Sequence, residues 1–393
     1  MRSLGASSPR LSRWLPTSLL VLAGLSFLLA LWDIASTTSL GENDFVGYWS
    51  AAYLLRDGQN PYNPELMKIT QQTKLHTRQD STIMAWNPPT LFVFLLPLTW
   101  LSFIQAKYAW LLVNLTMIVT SAIRLVNIYL PVRKPKHILV ILLFVMIFPP
   151  VLAGIFMGQV TFLVFFGLVF CITLIKKEKW FWAGASLILT TIKPHLVILP
   201  ALYIFVLMAV NRKLNGWIGF IVAGCSCAIA LFLLRPLWIQ DLIGLSTIAP
   251  VQWATPTIGG LIRYLGISNT ARYLIILFLP LPFLLVRHRN ILSMELSVAL
   301  LTLLTIPVTF FGWSYDQTLL LIPIIQVFSW LTQPGMRSIK ATGVLAIILA
   351  VGFNIYQRAI STNDVYYVWV PLFWWLLFGL TWYFISPLYI KHE

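Results

Sequence analysis

The sequence predicts an all-α integral membrane protein of about twelve transmembrane helices, since one span needs roughly 20 apolar residues. Three observations carry this. Apolar residues make up 59% of the 393 positions and charged residues only 10%, where a soluble domain is about a quarter charged. Mean hydropathy is +0.84. Apolar runs of near-span length recur along the whole chain, so residues 1–393 read as a single polytopic domain with no room for a separate soluble one.

Taken in order, the first run covers 14–35 and reads as a retained anchor rather than a cleaved signal peptide, because it is long and no small-x-small site follows. The next runs cover 106–130, 138–153, 160–175, 180–192, 194–210 and 216–234. The last five cover 270–286, 291–308, 317–332, 340–355 and 367–386. Residues 88–103 are apolar but short and carry three prolines, which fits a re-entrant or membrane-surface segment better than a crossing. That leaves 36–105 as a first polar loop carrying short helices and 235–269 as a second. Cys171, Cys225 and Cys227 all fall inside apolar runs and read as small buried hydrophobes, without a disulfide framework or a metal site.

The net charge of +15 would suggest nucleic acid in a soluble protein. In this chain it reads as an orientation signal, because Lys and Arg gather in cytoplasmic loops, and no nucleic-acid partner is expected. With the 88–103 segment not crossing, one side collects Arg2, Arg10, Arg13, Arg133, Lys134, Lys136, Lys176, Lys177, Lys179, Arg212, Lys213, Arg287, Arg289, Arg337, Lys340 and Lys391, sixteen of the 27 Lys and Arg. Both termini are therefore expected in the cytoplasm of a multi-pass cell-membrane protein. The polar insert near Asp44, Gly158-Gln159, Lys193-Pro194-His195, the 235–269 loop, the turn around Asp316 and the loop from Gln357 to Tyr366 are all expected on the extracytoplasmic face.

Twelve acidic residues serve the whole chain, and Glu42, Asp44 and Asp57 crowd into the insert from Gly41 to Glu65. Asn43 or Asp44 can cap a short helix that Gly58 closes, with Pro61 and Pro64 preventing its continuation. Asp44 is thus either a simple helix cap or a functional carboxylate at the membrane border. Lys193 sits near the end of an apolar run, where its charge is costly unless it meets water or an anion, or snorkels to the interface. Phosphate-cradling glycine loops, metal-ligand clusters and esterase signatures are absent from the sequence, which disfavours a cytoplasmic nucleotide-sugar enzyme.

Several motifs, in order, resemble glycosyltransferase family 87. They are Asn43-Asp44-Phe45 with Tyr48, Ala52, Gly58, Pro61 and Tyr62; Trp86-Asn87-Pro88-Pro89 with Pro97-Leu98; Gly158-Gln159; Lys193-Pro194-His195; and Ser314-Tyr315-Asp316-Gln317. The resemblance implies a polytopic GT-C-like fold and a hexosyltransferase that uses a polyprenyl-phosphate sugar. It is similar in particular to the bacterial alpha-mannosyltransferase group, which points to mannose. The late loop departs from that group: Trp313-Ser314-Tyr315-Asp316 stands where those enzymes resemble Trp-x-His-Tyr.

The resemblance implies an extracytoplasmic lipid or glycan acceptor and inversion at the anomeric carbon, in a site bordered by membrane lipids. Such a transfer must deprotonate an acceptor hydroxyl, align it and stabilise a departing phosphate. Asp44 is the expected base, with Asp316, Glu42 and Asp57 as alternatives. Tyr48, Tyr62, Gln159, Lys193, His195, Arg263, Tyr315, Asp316 and Gln317 are the expected substrate-binding residues, with Lys193 and arginines such as Arg235, Arg263 and Arg272 near the phosphate. Each has a plainer reading: Arg263 as an interfacial anchor, and the polar groups as partners for backbone where spans break. No cofactor is expected, because lipid-phosphate donors do not require an ion; Glu42-x-Asp44 keeps a divalent metal open. A lipid or solute transporter and a non-catalytic membrane scaffold are the alternatives from other classes.

Overall fold

The computed structural model describes residues 43–75, 82–130, 135–248, 253–361 and 363–390. The expected first span, Glu42 and Lys391 lie outside these residues. Every regular element among the described residues is helical.

The helix Thr161–Ile175 forms the axis of the fold. It has no polar face, and twelve of its fifteen residues are buried all round it, as a helix apolar on every side should be. Phe103–Tyr129 packs along one flank, and Trp180–Ser186 with the 3-10 segment Leu187–Ile192 along another. Trp180–Ser186 in turn lies against Leu214–Leu234. That crossing depends on two glycines: a β-carbon on Gly184 would stand 1.8 Å from the Gly216 carbonyl oxygen, and one on Gly219 would stand 1.9 Å from that of Phe181. Small residues that let two backbones touch are the usual means of helix association in lipid.

Among the described residues, five helical stretches are long and apolar enough to cross a membrane: Phe103–Tyr129, Leu214–Leu234, Thr270–Arg287, Ile339–Ile360 and Asp364–Ser386. A sixth results if Pro135–Ile147 and Pro149–Met157, bent by 51° at Phe148, count as one span. Leu233 is 81% exposed and Leu349 63%, so these helices turn bare aliphatic side chains outward, as a lipid-facing surface does.

Among the described residues this measure does not confirm the expected count of twelve spans. Thr161–Ile175, Trp180–Ile192, Ile198–Val210 and Met294–Val308 occupy expected runs but are only 10–17 residues long. The expected runs are themselves about as short; Trp180–Ile192 fills 180–192 with its second half wound as 3-10, and the break at Lys193 separates it from Ile198–Val210. The 88–103 segment is likewise short, a helix Thr90–Leu95 running into the 3-10 turn Leu96–Trp100.

Candidate active site

Four breaks between helices bring four polar side chains together. The helix Asn43–Arg56 begins with Asp44 in its first turn and ends as expected at Gly58, whose φ of +72° suits glycine. Nearly every residue from Phe45 to Leu55 is buried, so this first-loop helix is packed into the protein and its N-terminal turn is held in place.

Gln159 is positioned by the end of Pro149–Met157. Gly158 caps that helix in the left-handed conformation (φ +66°), and the Gln159 N–H returns 2.9 Å to the Gly154 carbonyl. This is a Schellman-like ending, which a residue with a β-carbon would strain. The Phe103–Tyr129 helix braces the turn: Trp110 Nε1 donates to the Gly158 carbonyl at 2.9 Å and Asn114 Nδ2 to that of Gln159 at 3.4 Å. The Gly-Gln dipeptide is therefore a pivot that aims one amide.

Lys193 stands in the gap between the 3-10 segments Leu187–Ile192 and Pro194–Leu196. The gap is held open from the first loop. Tyr62 Oη donates to the Asn87 carbonyl at 2.8 Å, and Asn87 Nδ2 donates to the Ile192 carbonyl at 3.3 Å. Asp316 lies in the 3-10 turn Ser314–Leu320, where its Oδ2 accepts the Trp313 N–H at 2.9 Å.

These parts form one network. Gln159 donates through Nε2 to Asp44 Oδ2 and accepts at Oε1 from Tyr48 Oη (3.2 Å) and Lys193 Nζ (3.0 Å). Lys193 also donates to Thr161 Oγ1 at 3.0 Å and to Asp316 Oδ1 at 2.7 Å, and Thr161 Oγ1 donates to the same carboxylate oxygen. An ammonium has three protons, so all three are occupied by protein. The Tyr315 ring lies 4.8 Å from Nζ as a cation–π partner. Asp316 and Lys193 are both buried; Asp44 is only half-buried and reaches the open space beyond.

That space is a cavity of about 1170 Å³, larger than most small-ligand pockets. Asp44, Tyr48, Lys193, His195, Tyr315 and Asp316 line it. An aromatic wall faces them: Trp253 meets Trp86 at 6.0 Å and Trp313 at 5.3 Å between ring centroids, and Trp313 stacks on Tyr315 at 6.3 Å. Apolar walls with a few converging polar groups suit a ligand that is part sugar and part hydrocarbon. Burial pushes the Asp44 carboxyl up to about 6; Lys193 and the Gln159 hydrogen bond oppose that shift, and the Asp316 charge adds to it. A carboxylate so tuned is mostly ionised at neutral pH yet more basic than an ordinary aspartate, as a general base should be.

The other expected residues take different places. Tyr62 is a buried strut for Asn87 and packs on Phe92. Gln317 donates through Nε2 to the Tyr367 carbonyl at 3.0 Å and supports the wall from behind. Arg263, on the helix Ile258–Tyr264, is not part of the cavity lining, nor are Arg235 and Arg272. Asp57 pairs with its neighbour Arg56 away from the cavity. Among the described residues no group of three or more His, Cys, Asp or Glu could hold a metal ion.

Sequence reasoning missed Thr161, Arg358 and Asp364. Thr161 gave no signal beyond its position after Gly158-Gln159. Arg358 did: it is a charge in the last turn of the apolar helix Arg337–Ile360, the same signature that singled out Lys193.

A half-buried carboxylate linked through Gln159 and Lys193 to a buried one, under an aromatic-walled cavity in a helical protein with membrane-capable helices, has the features of a ligand site. The sequence model of glycosyltransferase family 87, a family of glycosyltransferases, matches residues 86–269, just under half of the chain, and it is the family whose motifs the sequence resembles. The matched segment contains Asn87, Gln159, Lys193 and His195. No curated protein and no solved structure matches the chain.

Proposed function

We propose that the protein transfers a hexose or pentose, with mannose the first candidate, from a polyprenyl monophosphate to an extracytoplasmic lipid or glycan acceptor, with inversion and with Asp44 as base. The observation that carries this reading is the half-buried Asp44 carboxylate, raised to about 6 and facing the aromatic-walled cavity. The acceptor hydroxyl loses its proton to Asp44 as its oxygen bonds to the anomeric carbon. The bond from that carbon to the phosphate oxygen breaks on the opposite side, and the electron pair leaves with the phosphate. Gln159 holds the carboxylate in one orientation, while Lys193 and Asp316 hold Gln159. Tyr48, His195, Tyr315 and the Trp86, Trp253 and Trp313 rings offer hydrogen bonds and stacking faces to the sugar and the isoprenoid.

The full-length protein in nanodiscs, given polyprenyl-phosphate sugars with labelled mannose, glucose or arabinose, should transfer one of them to an endogenous lipid extract. Transfer should vanish in Asp44→Asn. Retained transfer in that variant would move the base to Asp316; no transfer by the parent from any polyprenyl-phosphate sugar would overturn the donor class.

The same reading has the chain cross the cell membrane twelve times, with both termini cytoplasmic and the cavity opening outward. The positive loops support it. In a Cys225→Ser background, a cysteine at exposed Gln59 should react with an impermeant thiol probe in intact cells, and one at exposed Lys177 only after permeabilisation. The reverse pattern would invert the topology.

A further inference from the structure

We propose that Arg358 is the receptor for a lipid-borne phosphate, which on the polyprenyl-phosphate reading above is the phosphate of the sugar donor. Arg358 lines the cavity from the end of the helix Arg337–Ile360. Its Nε and Nη2 are buried and have no hydrogen-bond acceptor. The Tyr367 ring, 4.5 Å from its guanidinium carbon, holds the group in place without using those donors.

A second arginine shows what this pair of donors is suited to. Nε and Nη2 share one edge of the guanidinium plane and form a fork that fits two oxygens of one anion. At Arg235 that edge is filled, with Nε 2.8 Å from Asp241 Oδ2 and Nη2 3.3 Å from Oδ1. At Arg358 the corresponding carboxylate has been drawn elsewhere: Asp364 Oδ2 accepts the Ser314 N–H and Oδ1 accepts its hydroxyl, both at 2.9 Å. A buried cation with an unfilled fork is costly, and it makes sense at a cavity wall if an anion completes it. Lys193, the other Lys or Arg of the cavity lining among the described residues, already has three acceptors.

The chemistry fits a phosphate that gains charge. In the transfer, the donor phosphodiester carries one negative charge and the departing polyprenyl phosphate two, as the electron pair of the broken bond stays on its oxygen and the acceptor proton goes to Asp44. A fork on that phosphate strengthens as the charge builds. Arg358 keeps its own protons throughout.

The test uses the full chain in phosphatidylcholine nanodiscs, with undecaprenyl phosphate and the neutral undecaprenol as probes and binding read by native mass spectrometry. Arg358→Gln should weaken undecaprenyl phosphate binding by about tenfold or more and leave undecaprenol binding unchanged. Arg358→Lys, which keeps the charge and loses the fork, should fall between. Undiminished phosphate binding in Arg358→Gln would overturn the proposal, as would an equal loss for both probes; if the parent binds undecaprenyl phosphate, the donor class survives either result. A third probe, nanodiscs doped with phosphatidylglycerol, separates the two ideas from the other side. A parent that ignores undecaprenyl phosphate but loses phosphatidylglycerol only on Arg358→Gln would keep the phosphate site and remove the polyprenyl donor.

Discussion

The two polar walls of the cavity are built on opposite rules. On one, Asp44, Gln159, Lys193, Thr161 and Asp316 satisfy one another, and each holds the next in a single orientation. On the other, Arg358 rests on Tyr367 with two buried donors unfilled, while Asp364 turns away toward Ser314. A closed network in a low-dielectric interior is rigid and costly to break, whereas an open one is costly only until something enters. The difference fits the two proposed roles, one wall aiming a reacting group and the other receiving a ligand.

The comparison can be broken most directly at Asp44. Asp44→Asn should reduce transfer by about 10²- to 10⁴-fold, the usual weight of a general base. Its fold should survive. The raised pKa means that the folded state binds this proton more tightly than the unfolded chain. The carboxylate therefore lowers stability above pH about 6 and has no effect well below 3.8. Asparagine removes that cost, so the variant should melt no lower than the parent at pH 7.5. In the parent, transfer should rise with pH through about 6 and then level off, and the limb should be missing from the residual rate of the variant.

The next largest effect contrasts the walls in stability. Lys193→Met leaves Asp316 buried and uncompensated, which should cost about 3–5 kcal/mol and show as a large fall in melting temperature. Arg358→Met removes a group that holds no ion pair and should lower melting far less. Equal losses would mean that the walls are not built differently. A smaller change sharpens the role of the pivot. Gln159→Glu replaces the donated N–H with a second carboxylate facing Asp44, and the pH limb should move up by about one unit or more, each unit being about 1.4 kcal/mol. An unmoved limb would separate Gln159 from the base. Smallest of all, Trp253→Ala should raise KM by about 3- to 10-fold with little change in kcat, since one stacking face is worth about 0.5–1.5 kcal/mol.

Much of this was legible before any coordinates, and its limits follow from geometry. Asp44, Gln159, Lys193 and Asp316 stood out as polar groups at breaks between apolar runs, and they are the four that meet. Tyr62 stood out too, but as an aromatic near the base, when its hydroxyl belongs to Asn87 and through it to the Lys193 break. The pairing of Lys193 with Asp316 joins residues 123 positions apart, and no periodicity reports such a contact. Helix winding was also hidden. Hydropathy marks where an apolar run lies but not where it turns from α to 3-10, as at Leu187–Ile192.

One consequence concerns the charge inventory. On the proposed mechanism Asp44 enters the cycle as a carboxylate and leaves the transfer step neutral, holding the acceptor proton. The enzyme must therefore give that proton to water before it can act again. Resetting is a separate step in the cycle, and if it is slow, turnover in heavy water should lag behind a single round of transfer.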